Sequence, residues 1–186
     1  MRRVILVHGW DGHTEEGWFP RFRKDLEEQG FVVTIPAMDP ADAPSRDVWV
    51  PQLATTVGTP DEDTYLVGHS AGCITILRYL EGLPGHVKVG GVVLVAGFTD
   101  NLGFEELKNY FTTPIDWTKI RAKADGFVAI HSDNDKYVPL SHADVFNREL
   151  GAVVMVLRNR AHFAGSDGTT ELPEARDAVL RLAGLV

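Results

Sequence analysis

Gly68-His69-Ser70-Ala71-Gly72 stands between a strand-like apolar run, 64–67, and a helix-like run that opens at Ala71. A chain that passes from strand to helix across one serine reverses so sharply that the serine takes a strained backbone conformation, and its Oγ projects alone above the sheet. Glycines flank such a serine because a Cβ at either position would collide with the turn. The motif therefore asks for a sheet below it and a helix packed directly behind it. By itself it is a weak signal: a chain with 18 glycines in 186 residues meets the pattern by chance in roughly one case in ten. The rest of the sequence has to supply the sheet and the chemical partners.

The sheet is readable. Short runs rich in β-branched residues recur at 4–7, 31–35, 64–67, 91–95, 127–130 and 153–157, with the near-continuous apolar character of strands buried on both faces. Helix-like segments lie between them. The segment 19–29 ends at Gly30, and 71–83 ends before Pro84-Gly85; further candidates are 47–56, 104–110, 141–150 and 174–182. Such alternation predicts a mainly parallel six-stranded sheet with helices on both faces, a three-layer α/β/α arrangement. The length suits one domain over 1–186, and no repeat, low-complexity tract or linker divides it. The longest stretch without periodicity, 97–124, follows the fourth strand, where long connections in α/β domains carry function and where this one is able to cover the serine.

Charge narrows the partners. With 26 acidic against 18 basic residues the net charge is −8, so neither nucleic acid nor an anionic membrane surface is expected. No apolar stretch approaches the ~18 residues needed to span a bilayer. The single cysteine, Cys73, has no internal disulfide partner, and Met1-Arg2-Arg3-Val4 leads into a strand without the apolar core of a signal peptide. The expected location is the cytoplasm.

A serine hydroxyl needs a base to take its proton and a carboxylate to hold that base in the useful tautomer. After an elbow serine the acid comes first in the chain and the histidine second. Asp135, in Ser132-Asp133-Asn134-Asp135-Lys136-Tyr137-Val138-Pro139, follows the fifth strand; His162, in Ala161-His162-Phe163, follows the sixth. Both positions fall at the strand edge above which the elbow projects, so Ser70, Asp135 and His162 form the expected catalytic set. Asp133 competes with Asp135 but is also suited to shaping the turn through side-chain to backbone hydrogen bonds. His162 is preferred among seven histidines by its place after the last strand, while His69 is read as a wall or packing residue. The oxyanion that forms on acyl transfer needs donors. The expected ones are the backbone N–H groups of Ala71, next after the serine, and of Trp10 in the glycine-rich loop His8-Gly9-Trp10-Asp11-Gly12. Trp10, Phe98, Trp117 and Tyr137 lie in or beside loops at the same edge and are candidate linings of an apolar substrate pocket; Trp18 and Phe111 serve equally well as core. Cys73 reads as packing, and no metal site is expected from pairs such as His131 with Asp133 or His13 with Glu15.

With those residues in view, the chain resembles the α/β-hydrolase superfamily, and within it the small serine hydrolases related to retinoblastoma-binding protein 9 and their bacterial homologues of the YdeN type. The likeness runs over essentially the whole chain. It rests on Gly17-Trp18, the segment 45–51 with Trp49, the elbow, Tyr110-Phe111-Thr112-Thr113-Pro114 with Trp117, Asp135 before Val138-Pro139, and His162-Phe163 with Gly165. The resemblance implies a minimal α/β-hydrolase fold with strand order 2-1-3-4-5-6 and no separate lid domain, and Ser70, Asp135 and His162 as the triad. No cofactor is expected. Retinoblastoma-protein binding is not expected, because Val57-Gly58-Thr59-Pro60-Asp61 lacks the Leu-x-Cys-x-Glu motif. The expected activity is hydrolysis of small carboxylic esters, with amides or activated acyl-amino compounds as further substrates; the oligomeric expectation is a monomer or weak dimer. Two rivals keep the same scaffold: a ligand- or protein-binding module with weak catalysis, and an acyltransferase or perhydrolase using the same triad.

Overall fold

The computed structural model describes residues 1–186. The six apolar runs become β1 (Arg3–Val7), β2 (Val32–Thr34), β3 (Thr64–His69), β4 (Gly91–Val95), β5 (Phe127–Ser132) and β6 (Val153–Leu157). Neighbouring strands all pair in parallel, in the order β2-β1-β3-β4-β5-β6. Six helices surround the sheet: α1 (Phe19–Glu27), α2 (Arg46–Val57), α3 (Ala71–Gly82), α4 (Trp117–Arg121), α5 (Ser141–Leu150) and α6 (Pro173–Leu182). None is long and apolar enough to cross a membrane.

Successive strand side chains point to opposite faces, so each strand feeds two cores. Val4 and Leu6 of β1 join the core that holds Phe19, Phe22 and Leu26 of α1 and Val179 of α6. Ile5 and Val7 join the opposite core, with Trp49 and Leu53 of α2, Ile74 and Leu77 of α3 and Phe146 of α5. Helical cover on both sides explains why the strands read as continuous apolar runs rather than alternating ones. The middle is driest: every residue of β3 and β4 is buried, as are the first ten residues of α3.

Local chemistry moves several boundaries. β2 is shorter than the run 31–35, because Phe31 N–H turns back to Leu26 O and Pro36 has no N–H to offer. The helix expected over 104–110 is a 3₁₀ segment, Glu105–Phe111. α2 continues through Pro51, since its buried Trp49, Leu53 and Val57 outweigh the one lost backbone hydrogen bond. α4 has no counterpart in the sequence reading: its five residues are too few to display a period, and it is capped by the Asp116 side chain accepting from Lys119 N–H at 2.9 Å.

The long connection after β4 is fastened to the fold. The Arg78 side chain, buried on α3, donates from Nε to Tyr110 O (2.8 Å) and from its two terminal nitrogens to Thr113 O (2.6 Å) and Pro114 O (3.3 Å), and it pairs with Glu81 at 2.7 Å. Asn109 accepts from Arg46 N–H at 2.6 Å and donates to Asp47 at 3.0 Å. This connection is therefore a fixed wall over the carboxyl ends of the strands.

Candidate active site

β3 and α3 meet at Ser70, whose backbone has φ 53 and ψ −118, a conformation that L-residues rarely adopt. The two glycines make the approach possible. A Cβ on Gly68 would come within 2.7 Å of Cys73 N, and one on Gly72 would overlap Val7 O and reach 2.8 Å from His8 O. The elbow is thus wedged between the end of β1 and the first turn of α3, with Ser70 N–H anchored on Val95 O of β4 at 2.9 Å.

The structure brings the two downstream residues to this serine. His162 Nε2 lies 2.9 Å from Ser70 Oγ, and His162 Nδ1 lies 2.8 Å from Asp135 Oδ2. The other carboxylate oxygen of Asp135 accepts from the N–H groups of Tyr137 (2.9 Å) and Val138 (3.1 Å). Burial opposes a charge on Asp135; the His162 hydrogen bond and charge, then the two backbone donors, outweigh it and hold the carboxyl below its ordinary range. Asp133 goes elsewhere, accepting from Asn159 N–H at 2.8 Å and making no contact with His162.

Asp133 belongs to a series that sequence reasoning did not see. Ser132 Oγ accepts from Arg160 N–H (3.0 Å), Asn134 Oδ1 from Ala161 N–H (2.8 Å), and Asp135 meets the His162 ring. Four consecutive side chains, from Ser132 at the end of β5 to Asp135, thus hold four consecutive residues after β6. The only sequence hint was the density of short polar residues in 132–135, which is ordinary turn chemistry.

On the opposite side of Ser70 the loop 8–12 is held by backbone hydrogen bonds from Asp11 N–H to Ala41 O (2.8 Å) and from Gly12 N–H to Gly9 O (3.0 Å), and by side-chain contacts. His8 Nδ1 donates to Gly9 O (2.8 Å), Met38 N–H donates to His8 Nε2 (3.0 Å), and the Trp10 indole donates to Asp42 O (2.9 Å). Trp10 backbone N–H has no partner within the protein. Ala71 is the first residue of α3, where an N–H has no acceptor one turn earlier in the helix.

A cleft of about 600 Å³ opens over Ser70 and His162, a volume typical of small-molecule sites. Trp10, Phe98 and Tyr137 line it, joined by Leu102, Phe104 and Leu107 from the connection after β4 and by Asp11, Glu16, Ala164 and Ser166. Trp117 does not. The short α4 turns its ring toward Phe146 of α5, with centroids 6.2 Å apart, so the pocket role expected for Trp117 is replaced by core packing. Phe111 packs behind the cleft against Phe98, and Trp18 is fully buried against Phe19 and Phe22. Leu102, Phe104 and Leu107 were hidden because nothing local shows that the helix-like 104–110 and the residues before it lie over the serine. Cys73 is buried, and burial pushes its thiol up and away from thiolate chemistry.

Four histidines are held neutral by burial. His69 is pushed down to about 3, by burial first and the neighbouring His162 second; His131 falls to about 4; His8 and His142 are also lowered, each chiefly by burial. In the unfolded chain all four titrate near ~6.5. Below that pH the unfolded state binds more protons than the folded one, so the stability they contribute is complete above pH ~6.5 and drains as the pH falls toward 4 and 3. The urea midpoint is expected to drop already between pH 6.5 and 5, above the range where most carboxylates titrate. A flat midpoint across that window would contradict the buried-neutral assignment.

A parallel sheet in this order, with its serine on a strained turn after the third strand, makes the chain an α/β-hydrolase. Within that class it belongs to the serine hydrolase family, whose model matches residues 4–181. YdeN of Bacillus subtilis is 32% identical over 179 residues, which cover 96% of this chain and 94% of that protein. The crystal structure of the B. subtilis ydeN gene product superimposes with a TM-score of 0.94 at 30% identity, over 99% of this chain and 100% of that one. The serine hydrolase RBBP9 of Rattus norvegicus is 30% identical over 170 residues, 89% of each chain. Est1E from Butyrivibrio proteoclasticus, solved with ferulic acid bound, shares the fold at 14% identity, with a TM-score of 0.78 over 99% of this chain and 90% of that one.

Proposed function

We propose that the protein cleaves small carboxylic esters, and by the same chemistry small amides or activated acyl-amino compounds, through an acyl-enzyme on Ser70. The observation that carries this reading is the continuous hydrogen-bond chain from Ser70 Oγ through the His162 ring to Asp135, at 2.9 and 2.8 Å. Ser70 attacks the acyl carbon while His162 Nε2 takes its proton. Asp135 keeps the proton of Nδ1 in place and stabilises the imidazolium. The Trp10 and Ala71 N–H groups receive the oxyanion. His162 then protonates the leaving alcohol or amine, and a water activated by the same imidazole frees the acid and restores Ser70.

The cleft supports the substrate size. Trp10, Phe98, Leu102, Phe104 and Leu107 offer an apolar surface for an acyl group, and the fixed connection after β4 limits its length. The ionisable residues lining it besides histidine and Tyr137 are Asp11 and Glu16, so a substrate carboxylate finds no cation there. A p-nitrophenyl ester panel graded from acetyl through butyryl and octanoyl to lauroyl is expected to show kcat/KM highest among the shorter neutral acyl groups and falling at lauroyl. Folded protein that turns over no ester or amide on such a panel would sink the reading.

A further inference from the structure

Neither backbone polar group of His162 has a backbone partner. Ala161 (φ 46) and Phe163 (φ 58) flank it in the left-handed region, although neither is glycine. Both backbone polar groups of His162 are instead held by side chains. Asp167 Oδ2 accepts from His162 N–H at 3.0 Å and from Ala164 N–H at 3.2 Å. On the other side, His69 Nε2 lies 2.8 Å from the carbonyl oxygen of His162. A carbonyl only accepts, so the His69 proton is on Nε2 and the ring donates.

His69 is well suited to act as a fixed strut. It is 4% exposed, and Trp18 and Phe19 meet it edge-on with centroids 6.4 and 6.2 Å away. Its ring is 5.1 Å from that of His162, and Asp135 and Asp167 also face it; burial keeps it neutral down to about pH 3, so the donated hydrogen bond persists across the working range. It also precedes Ser70 directly. The residue that closes β3 and leads into the elbow thus reaches across to the backbone of the residue 93 positions later, tying both ends of the Ser70–His162 hydrogen bond to one side chain.

We propose that His69 is a positioning residue for hydrolysis: its Nε2–H, with Asp167 on the opposite side, holds the His162 backbone so that the His162 ring stays in line with Ser70 Oγ. The inference rests on the reading of His162 as the base of Ser70. Loosening either hold leaves the apolar wall of the cleft intact but lets the base drift, and a misplacement of ~1 Å costs on the order of 10²-fold in rate.

The test is kcat and KM for p-nitrophenyl acetate in wild type, His69→Met, His69→Gln, Asp167→Ala, Asp167→Asn and Ser70→Ala, with folding checked by near-ultraviolet circular dichroism. Methionine cannot donate, whereas the glutamine amide reaches about as far as Nε2; alanine cannot accept, whereas asparagine keeps an oxygen where Oδ2 stands. His69→Met and Asp167→Ala are expected to lose roughly 10- to 100-fold in kcat with KM within about twofold, and Gln and Asn to recover most of that loss. Asp167 is exposed, so its pair of variants decides the matter by the same criterion if His69→Met fails to fold. Wild-type kcat in the Met or Ala variants, or Gln and Asn no better than Met and Ala, would overturn the positioning role. Turnover persisting in Ser70→Ala would instead overturn the hydrolytic reading on which the proposal rests.

Discussion

Asp135→Asn is expected to lower kcat by about 10⁴-fold while leaving the fold intact. The two carboxylate oxygens do separate jobs. Oδ1 accepts from the N–H groups of Tyr137 and Val138, and an asparagine carbonyl can do the same, so the turn after β5 survives. Oδ2 faces His162 Nδ1 at 2.8 Å, and there asparagine presents NH₂. Two donors cannot face each other, so the imidazole shifts its proton to Nε2 and meets Ser70 Oγ as a donor, unable to take the hydroxyl proton. Asp133→Asn is the matched control. Its oxygen serves only Asn159 N–H, which asparagine also satisfies, so most of the turnover should remain. Steady-state kinetics on one ester with both variants, alongside their thermal midpoints, measures the contrast, and the reverse ranking would move the acid to Asp133.

Gly72→Ala is expected to be among the most damaging small substitutions in the core. The added Cβ overlaps Val7 O and presses on His8 O, and both are backbone atoms that no rotamer change can move aside. α3 would have to withdraw from β1, undoing the packing of its buried face and displacing both Ser70 and the loop that carries Trp10. Overpacking of this kind costs about 3 kcal/mol or more, which for a chain of this length lowers the thermal midpoint by on the order of 10 °C. Gly82, at the far end of the same helix, has nothing within 4 Å of its would-be Cβ. Gly82→Ala should be neutral or gain a few tenths of a kcal/mol through helix propensity. Equal midpoints for the two variants would mean that the elbow is not wedged as described.

These contrasts also show what the sequence could convey. The order of strands and helices was legible because both faces of the sheet are buried, which prints an apolar run at each strand. The elbow was legible because its steric demands leave glycine at 68 and 72. Ser70, Asp135 and His162 are singled out by chain order and by their places after β3, β5 and β6, and the structure brings the three side chains within hydrogen-bond distance of one another. What stayed hidden depends on contacts between residues far apart in the chain. Trp117 lies near the right edge of the fold, yet a five-residue helix turns it toward Phe146. Leu102, Phe104 and Leu107 enter the cleft because Arg78 and Asn109 pin the connection that carries them, and neither residue stands out in the sequence. The left-handed turns at Ala161 and Phe163 carry no glycine, so nothing local signals that the His162 loop is held from outside.

The most direct test of Ser70 as the nucleophile is covalent. Folded protein is incubated with a fluorophosphonate, its intact mass is measured, and the labelled peptide is sequenced. One adduct is expected, on the peptide bearing Ser70, with none on Ser70→Ala protein of the same fold. Folded wild-type protein that stays unlabelled, or an adduct that persists after Ser70→Ala, would contradict the assignment.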